Sequence, residues 1–255
     1  MKKRLLISLA ILFVASLNYM LKYLLAYIVF GVEEYNKIPA DTRNILIQSL
    51  IFLISIVTTW ALCSFSMGKA TIALGLNKPV LQTMLWALLC ASPMLIGGII
   101  SLGLNNSIAI KDILFASVWA GVFEELVFRA FITGLLVRLA GWHIIPAILI
   151  SSLIFGWGHI YQADSAAEAI TIFLVTGSAG IGFAVFYWLW KWNIWFPMFM
   201  HIFMNLSFVI TNMGTNVLLN NSGNIYRIIT IVSAIILTIV LMRKRTLPDF
   251  NTGTK

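Results

Sequence analysis

Apolar residues in this chain come in long, nearly unbroken runs. They do not form the narrow stripe of a surface helix or the alternation of a half-buried strand. A membrane-spanning helix needs about 20 mostly apolar residues. About eight runs approach or reach that length: Leu5–Phe30, Ile45–Ser66, Val80–Leu104, Ile113–Leu139, Ile144–Ile160, Ala169–Trp190, Ile194–Ile210 and Ile225–Met242. The fifth and seventh are short. Breakers separate the runs: Gly-Val-Glu-Glu at 31–34, Leu-Gly-Leu-Asn-Lys-Pro at 74–79 and an Asn/Gly-rich stretch at 211–224. No strand alternation recurs, which disfavours a β-barrel. The pattern predicts an all-α, polytopic integral membrane protein with about eight transmembrane helices. Met1-Lys2-Lys3-Arg4 before an apolar run is also how a signal peptide begins. The run continues well past the usual apolar region and no Ala-x-Ala site follows, so a first transmembrane helix is expected. Lys22 interrupts it, placed either to snorkel or to face a polar interior.

Composition agrees. Of 255 residues 60% are hydrophobic and 10% charged, and the mean hydropathy is +0.96. That is too little charge to cover a soluble globule of this size, which excludes a soluble enzyme, a disordered chain and a disulfide scaffold. The net charge of +8 invites a nucleic-acid reading, but the positions of the charges remove the need for one. The odd-numbered loops hold Lys37, Arg43, Lys111 and Arg227 with Glu33, Glu34, Asp41, Asp112, Asp164 and Glu168. The termini and even-numbered loops hold Lys2, Lys3, Arg4, Lys69, Lys78, Arg138, Lys191, Arg243, Lys244, Arg245 and Lys255, with Asp249 as their acid. Lys/Arg excess marks the cytoplasmic face, so both termini are expected to be cytoplasmic.

Several features read as structure. Cys63 and Cys90 are far apart without CxxC spacing and suit helix packing. Tyr187-Trp188-Leu189-Trp190-Lys191-Trp192 reads as an interfacial aromatic belt. Gly177, Ser178, Gly180 and Gly182 would let another helix approach closely. His143, in a short turn after Gly141-Trp142, reads as a surface residue. No repeat, low-complexity tract or second domain is evident, so residues 1–255 are expected to form a single membrane domain.

Polar groups within the runs are costly and therefore informative. Run four holds Glu124, Glu125 and Arg129, run five ends Phe155-Gly-Trp-Gly-His159, and run seven holds His201-Ile-Phe-Met-Asn205. Glu125 and Arg129, at i and i+4, can pair. Glu124 stands about 100° around the helix from Glu125 and can stay chemically available. His201 and Asn205 share a face, as do Phe155 and His159, and Gly156 and Gly158 permit close approach or local unwinding. A carboxylate, two imidazoles and an amide suit hydrolysis: the carboxylate takes a proton from water, one His positions that water or binds a metal, and the rest donate to an oxyanion. No Gly-x-Ser-x-Gly or His-Glu-x-x-His occurs. Two other readings use the same residues. One is a non-catalytic membrane scaffold or regulator. The other is a transporter or proton channel, against which stands the absence of an inverted repeat.

Glu124-Glu125-x-x-x-Arg129, Phe155-x-x-x-His159 and His201-x-x-x-Asn205, in that order on successive helices, resemble the CAAX-processing endoprotease and bacteriocin-processing (Abi, CPBP) family of intramembrane peptidases. The resemblance covers residues 112–210, the expected catalytic core, with 1–111 and 211–255 as accessory helices and tails. Leu74-Gly75-Leu76 resembles the stretch that often precedes this core. The resemblance implies an endopeptidase acting on a membrane-associated protein or peptide, lipidated or unmodified, as in CAAX proteolysis, bacteriocin maturation or self-immunity. It implies that Glu124 activates water, His159 assists, His201 and Asn205 stabilise the oxyanion, and Glu125, Arg129 and Phe155 support the site. It leaves two cofactor readings: no cofactor, or a divalent metal such as zinc on Glu124, His159 and His201. The implied partners are membrane lipid and the substrate, with no nucleic acid, and the implied location is a bacterial plasma membrane.

Overall fold

The computed structural model describes residues 2–214 and 217–244. The tail charges Arg245, Asp249 and Lys255 lie outside them. The described residues are almost entirely helical, and the one β-type pairing is an isolated bridge between Leu104 and Thr211. This suits a chain with little water to satisfy its backbone, because a helix pairs its own N–H and C=O groups.

α1 (Lys2–Leu24) runs into a π turn at Leu25–Val29 and bends by 51° around residue 18. α2 (Val32–Lys37) is a short connector. α3 (Ala40–Leu62) and α5 (Val80–Leu102) follow Pro39 and Pro79, which sit just before a helix where a missing N–H does no harm. Between them α4 (Met67–Leu74) is capped by Ser66, whose hydroxyl accepts from the Lys69 N–H, and ends at Gly75 with φ +75°. A Cβ on Gly75 would overlap the Trp192 carbonyl, so glycine is required there for both conformation and space.

The chain then forms one continuous helical rod over residues 110–138. It consists of α6 (Ile110–Asp112), a π segment Ile113–Trp119, α7 (Ala120–Glu124), a second π segment Glu125–Gly134 and α8 (Leu135–Arg138). Every residue of Glu125–Gly134 is buried, and the rod packs against α3, α4 and the three helices that follow. These are α9 (Ile144–Trp157), α10 (Ala166–Leu189) and α11 (Trp195–Ile210); α12 (Asn221–Arg243) completes the bundle against α5. Large apolar side chains such as Leu81, Leu85, Ile100, Ile228 and Ile236 point outward. On a soluble protein that surface would aggregate; in a bilayer it faces lipid.

Among the described residues five helices are long and apolar enough to cross a membrane, and six if the bent α1 pair is one span. The sequence suggests about eight. The difference falls where the chemistry lies. The rod carries Glu124, Glu125 and Arg129 in its middle, and α11 has 16 residues. Both are helical as expected, but neither is a simple span by length and composition.

The bundle gathers its basic loops at one end. The Arg4 guanidinium lies against Gly141, Arg138 Nη1 donates to the Ile72 and Ala73 carbonyls, and the Trp195 indole donates to Leu76 O. The aromatic belt proves mixed. Trp188 is exposed, but Tyr187 and Trp190 are fully buried. Tyr187 donates to Leu74 O, while Trp190 stacks on Phe196 at 3.7 Å and donates to Thr238. The end of α10 is enclosed by α4, α11 and α12 neighbours, so these two rings are core and not interface. Lys22 is exposed, His143 is an exposed N-cap of α9, and both cysteines are free and buried.

Candidate active site

The site is built around the junction where α7 gives way to the second π segment, because the two adjacent glutamates there face different surroundings. Glu125 is fully buried; one oxygen lies 3.3 Å from Arg129 Nε and the other 2.8 Å from His201 Nδ1. Glu124, with 13% of its side chain exposed, lies 3.6 Å from His201 Nε2 and 3.9 Å from His159 Nε2. The expected i,i+4 pairing of Glu125 with Arg129 is present. The bond from Glu125 to His201 was not expected. It makes the second carboxylate a positioning group for the imidazole as well as a counter-ion.

The rod and α11 are held in close register. Ser117 donates to the Ile202 carbonyl at 2.8 Å, and Asn205 Nδ2 donates to the Ala116 carbonyl at 3.0 Å. One turn further along the rod sits Gly121, where an added Cβ would come within 2.5 Å of Ile202 Cγ1 and 3.1 Å of its backbone N. The glycine thus lets α11 close on the rod one turn before the glutamates. The His201 ring stacks on Phe183 of α10, with centroids 5.1 Å apart and planes 9° apart. Such pairs contribute roughly 0.5–1.5 kcal/mol beyond area burial.

His159 arrives by a different route. α9 ends at Trp157, Gly158 turns the chain, and a 3-10 turn follows at Ile160–Gln162. Gly156 crosses α10 so closely that a Cβ would lie 3.2 Å from Gly177 Cα. Run limits alone put His159 near an outer end and His201 near an inner one. The contacts of Glu124 with both rings bring the two to one level, and the break after Trp157 is where α9 accommodates this. His159 Nδ1 donates to the Phe155 carbonyl at 2.8 Å. A carbonyl only accepts, so Nδ1 donates to it and Nε2 is the ring nitrogen turned toward Glu124.

Phe155 supports the site through its carbonyl and its ring. The ring lies 4.3 Å from the Arg129 guanidinium carbon, 4.5 Å from the His159 ring and 5.1 Å from the Phe128 ring. Phe183 lies 5.4 Å from the same guanidinium carbon. Nη1 and Nη2 of Arg129 are buried without hydrogen-bond partners. The cation is therefore held by one carboxylate and two aromatic faces, an arrangement that favours a desolvated guanidinium. The widened turn around it is fixed by hydroxyls: Phe128 O accepts from Ser151 at 2.7 Å and Thr133 at 3.1 Å.

Glu124, Glu125, Arg129, Phe155, His159 and His201 thus converge. Asn205 lies one helical turn beyond His201, on the same contact between α11 and the rod. Its bond to Ala116 uses one N–H of an amide that has two. Among the described residues no group of three or more His, Cys, Asp or Glu side chains is spaced to hold a metal ion. Glu124, His159 and His201 are close, but not gathered as a ligand set. Sequence reading missed Phe183, Gly121 and Ser117. A signal for Phe183 was present, since it lies three residues after Gly180 on the small-residue face of α10, where a Cβ would meet Ser152 and Phe155. Gly177 and Gly180 line that crossing as expected, whereas Gly182 faces open space.

No curated protein is similar enough to the chain to be matched. Residues 106–207 match the family model of the type II CAAX prenyl endopeptidase Rce1-like proteins. That segment holds the whole rod with both glutamates, all of α9 and α10 with His159 and Phe183, and α11 through Ser207. Residues 106–207 are thus similar to the Rce1-like, CAAX-protease (CPBP) family, and they lie within an all-α membrane protein.

Proposed function

We propose that this protein is an intramembrane endopeptidase in which Glu124 activates water. The observation that carries this reading is the 3.9 Å gap between Glu124 Oε1 and His159 Nε2. It is too long for a direct hydrogen bond and short enough for one water to bridge. A water held there, donating to Glu124, turns an oxygen lone pair toward a substrate carbonyl carbon.

The chemistry then follows. The water oxygen attacks the scissile carbonyl carbon and Glu124 takes the water proton. The carbonyl oxygen becomes an oxyanion, stabilised by N–H donors on His201 and Asn205. Collapse breaks the C–N bond, and the leaving amine receives the proton that Glu124 holds. With Nδ1–H donated to Glu125, donation from His201 Nε2 requires the doubly protonated ring, and that ring stands between Glu124 and Glu125. Glu125 and Arg129 position this imidazole without touching substrate.

The substrate in this reading is a membrane-associated protein or peptide, and a lipidated C-terminus is the first class to test. The protein would sit in a bacterial plasma membrane with both termini cytoplasmic. Reconstituted wild type, Glu124→Ala and His201→Ala should be compared on libraries of lipidated and unmodified peptides. Cleavage by wild type alone supports the proposal. Equal cleavage by Glu124→Ala contradicts it. Cleavage should also survive exhaustive chelation, and a loss restored specifically by added zinc would contradict the metal-free mechanism.

A further inference from the structure

A second candidate site lies at the basic end of the bundle, away from the glutamates. A cavity of about 330 Å³ opens there between the end of α3, α4 and the end of α8, within the size range of small-molecule sites. Lys69, Arg138 and Ser64 supply its polar lining, and Leu62, Ile72 and Leu139 supply an apolar wall.

The two cations are arranged differently. Arg138 is fixed in place: its Nη1 donates to Ile72 O at 2.9 Å and Ala73 O at 2.6 Å, and its guanidinium carbon lies 5.6 Å from the Trp192 ring centroid. Both backbone bonds run through Nη1 and the guanidinium also bonds the Tyr187 side chain, which leaves part of its five N–H donors for an anion. Lys69 is exposed on α4. Among the described residues no carboxylate pairs with either cation. Cys63, at the base of the cavity, registers both charges. Burial pushes its thiol above the ordinary value, while Arg138 and Lys69 pull the other way. Two pairs of residues in left-handed conformation flank the site: Ser64 and Phe65 at φ 58° and 56°, and Lys191 and Trp192 at φ 55° and 60°. Such backbone persists where the surrounding structure holds it.

An anion is the complement of two unpaired cations. The apolar surroundings narrow its kind. Phe65 and Met67 beside the cavity are 66% and 61% exposed, and Phe65 packs edge-on to Trp60 at the end of α3. A free inorganic anion gains nothing from these groups, whereas a phosphate carrying hydrocarbon gains from both parts. We propose that this pocket binds the phosphate of an anionic phospholipid, with Lys69 and Arg138 on the phosphate oxygens and the start of an acyl chain along Leu62, Ile72 and Leu139. The proposal is independent of the reading of the glutamate site.

The full-length protein should be placed in nanodiscs of phosphatidylcholine alone and with phosphatidylglycerol. Thermal unfolding and retained lipid, counted by native mass spectrometry, would then be measured for wild type, Lys69→Gln, Lys69→Gln/Arg138→Gln and Lys111→Gln. Arg138 also caps α4, so its loss could unfold that end; Lys69 makes no such bond, and its single variant keeps the test decisive. Phosphatidylglycerol is expected to raise the wild-type midpoint by several degrees and to be retained by wild type and Lys111→Gln. Both effects should be lost in Lys69→Gln. A wild type indifferent to phosphatidylglycerol, an undiminished effect in Lys69→Gln, or an equal loss in Lys111→Gln would each overturn the site. An equal shift from water-soluble glycerophosphate would overturn the lipid as its occupant.

Discussion

Glu124 and Glu125 are chemically identical neighbours given different surroundings. Glu125 has no exposed surface and two partners, whereas Glu124 keeps 13% of its side chain exposed and faces two imidazole nitrogens. Removing one member of a buried ion pair costs about 3–5 kcal/mol, because it strands the other charge. Glu125→Gln is therefore expected to lower the unfolding midpoint sharply as well as activity. Glu125→Leu combined with Arg129→Met should recover much of the stability while activity stays lost, as thermal unfolding and cleavage assays would show. A double variant as unstable as Glu125→Gln would contradict the assignment of Glu125 to positioning. At this scale much of the site was legible, since ionisable and amide groups in apolar runs are costly and few. The bond from Glu125 to His201 was not legible, because helical spacing relates residues within one helix and this bond joins two. Phe183 was missed for a related reason: its place three residues after Gly180 marks a close crossing, while its role shows only when its ring is seen against His201 and Arg129.

Elements bring these residues together through close crossings. Gly121 lets α11 approach the rod, and Gly156 lets α9 approach α10. Gly121→Ala would press a methyl group against Ile202, an overpacking cost of about 1–3 kcal/mol, and would widen the contact that holds His201 on Glu125. The expected result is a folded protein with strongly reduced cleavage. Gly182→Ala meets no atom within 4 Å and should leave both stability and activity near wild type. Equal effects of the two substitutions, measured side by side, would remove the crossing from the account. The order of the helices was readable from the apolar runs, as were the glycines at the α9–α10 crossing. The two π segments were not. Their i→i+5 bonding is stabilised by contacts such as Ser151 with Phe128 O, which come from another helix. Trp190 was misread as interfacial for the same reason. Its burial depends on Phe196 and Thr238, more distant in the chain than its Lys191 neighbour.

On the scale of the whole molecule, charge sets orientation and apolar surface sets location. Lys69, Arg138 and Arg4 gather at one end of the bundle, while Lys111 begins the rod at the other. If the basic end is cytoplasmic, Lys111→Cys should react with a membrane-impermeant maleimide in intact cells, and Lys191→Cys only after the membrane is opened. Cys63 and Cys90 are buried and should contribute little background. The reverse pattern would invert the topology. Membrane class and charge asymmetry were both readable from composition and position. The span count was not, because the rod combines the charges of a site with the length of a span, and α11 is short. The central claim concerns one oxygen pair on that rod. It is tested most directly by cleavage rates of reconstituted wild type and Glu124→Gln on the same peptide, with thermal unfolding confirming that the variant is folded. The account predicts an unchanged midpoint and a rate lower by about 10²–10⁴-fold; a folded Glu124→Gln protein cleaving at the wild-type rate would contradict it.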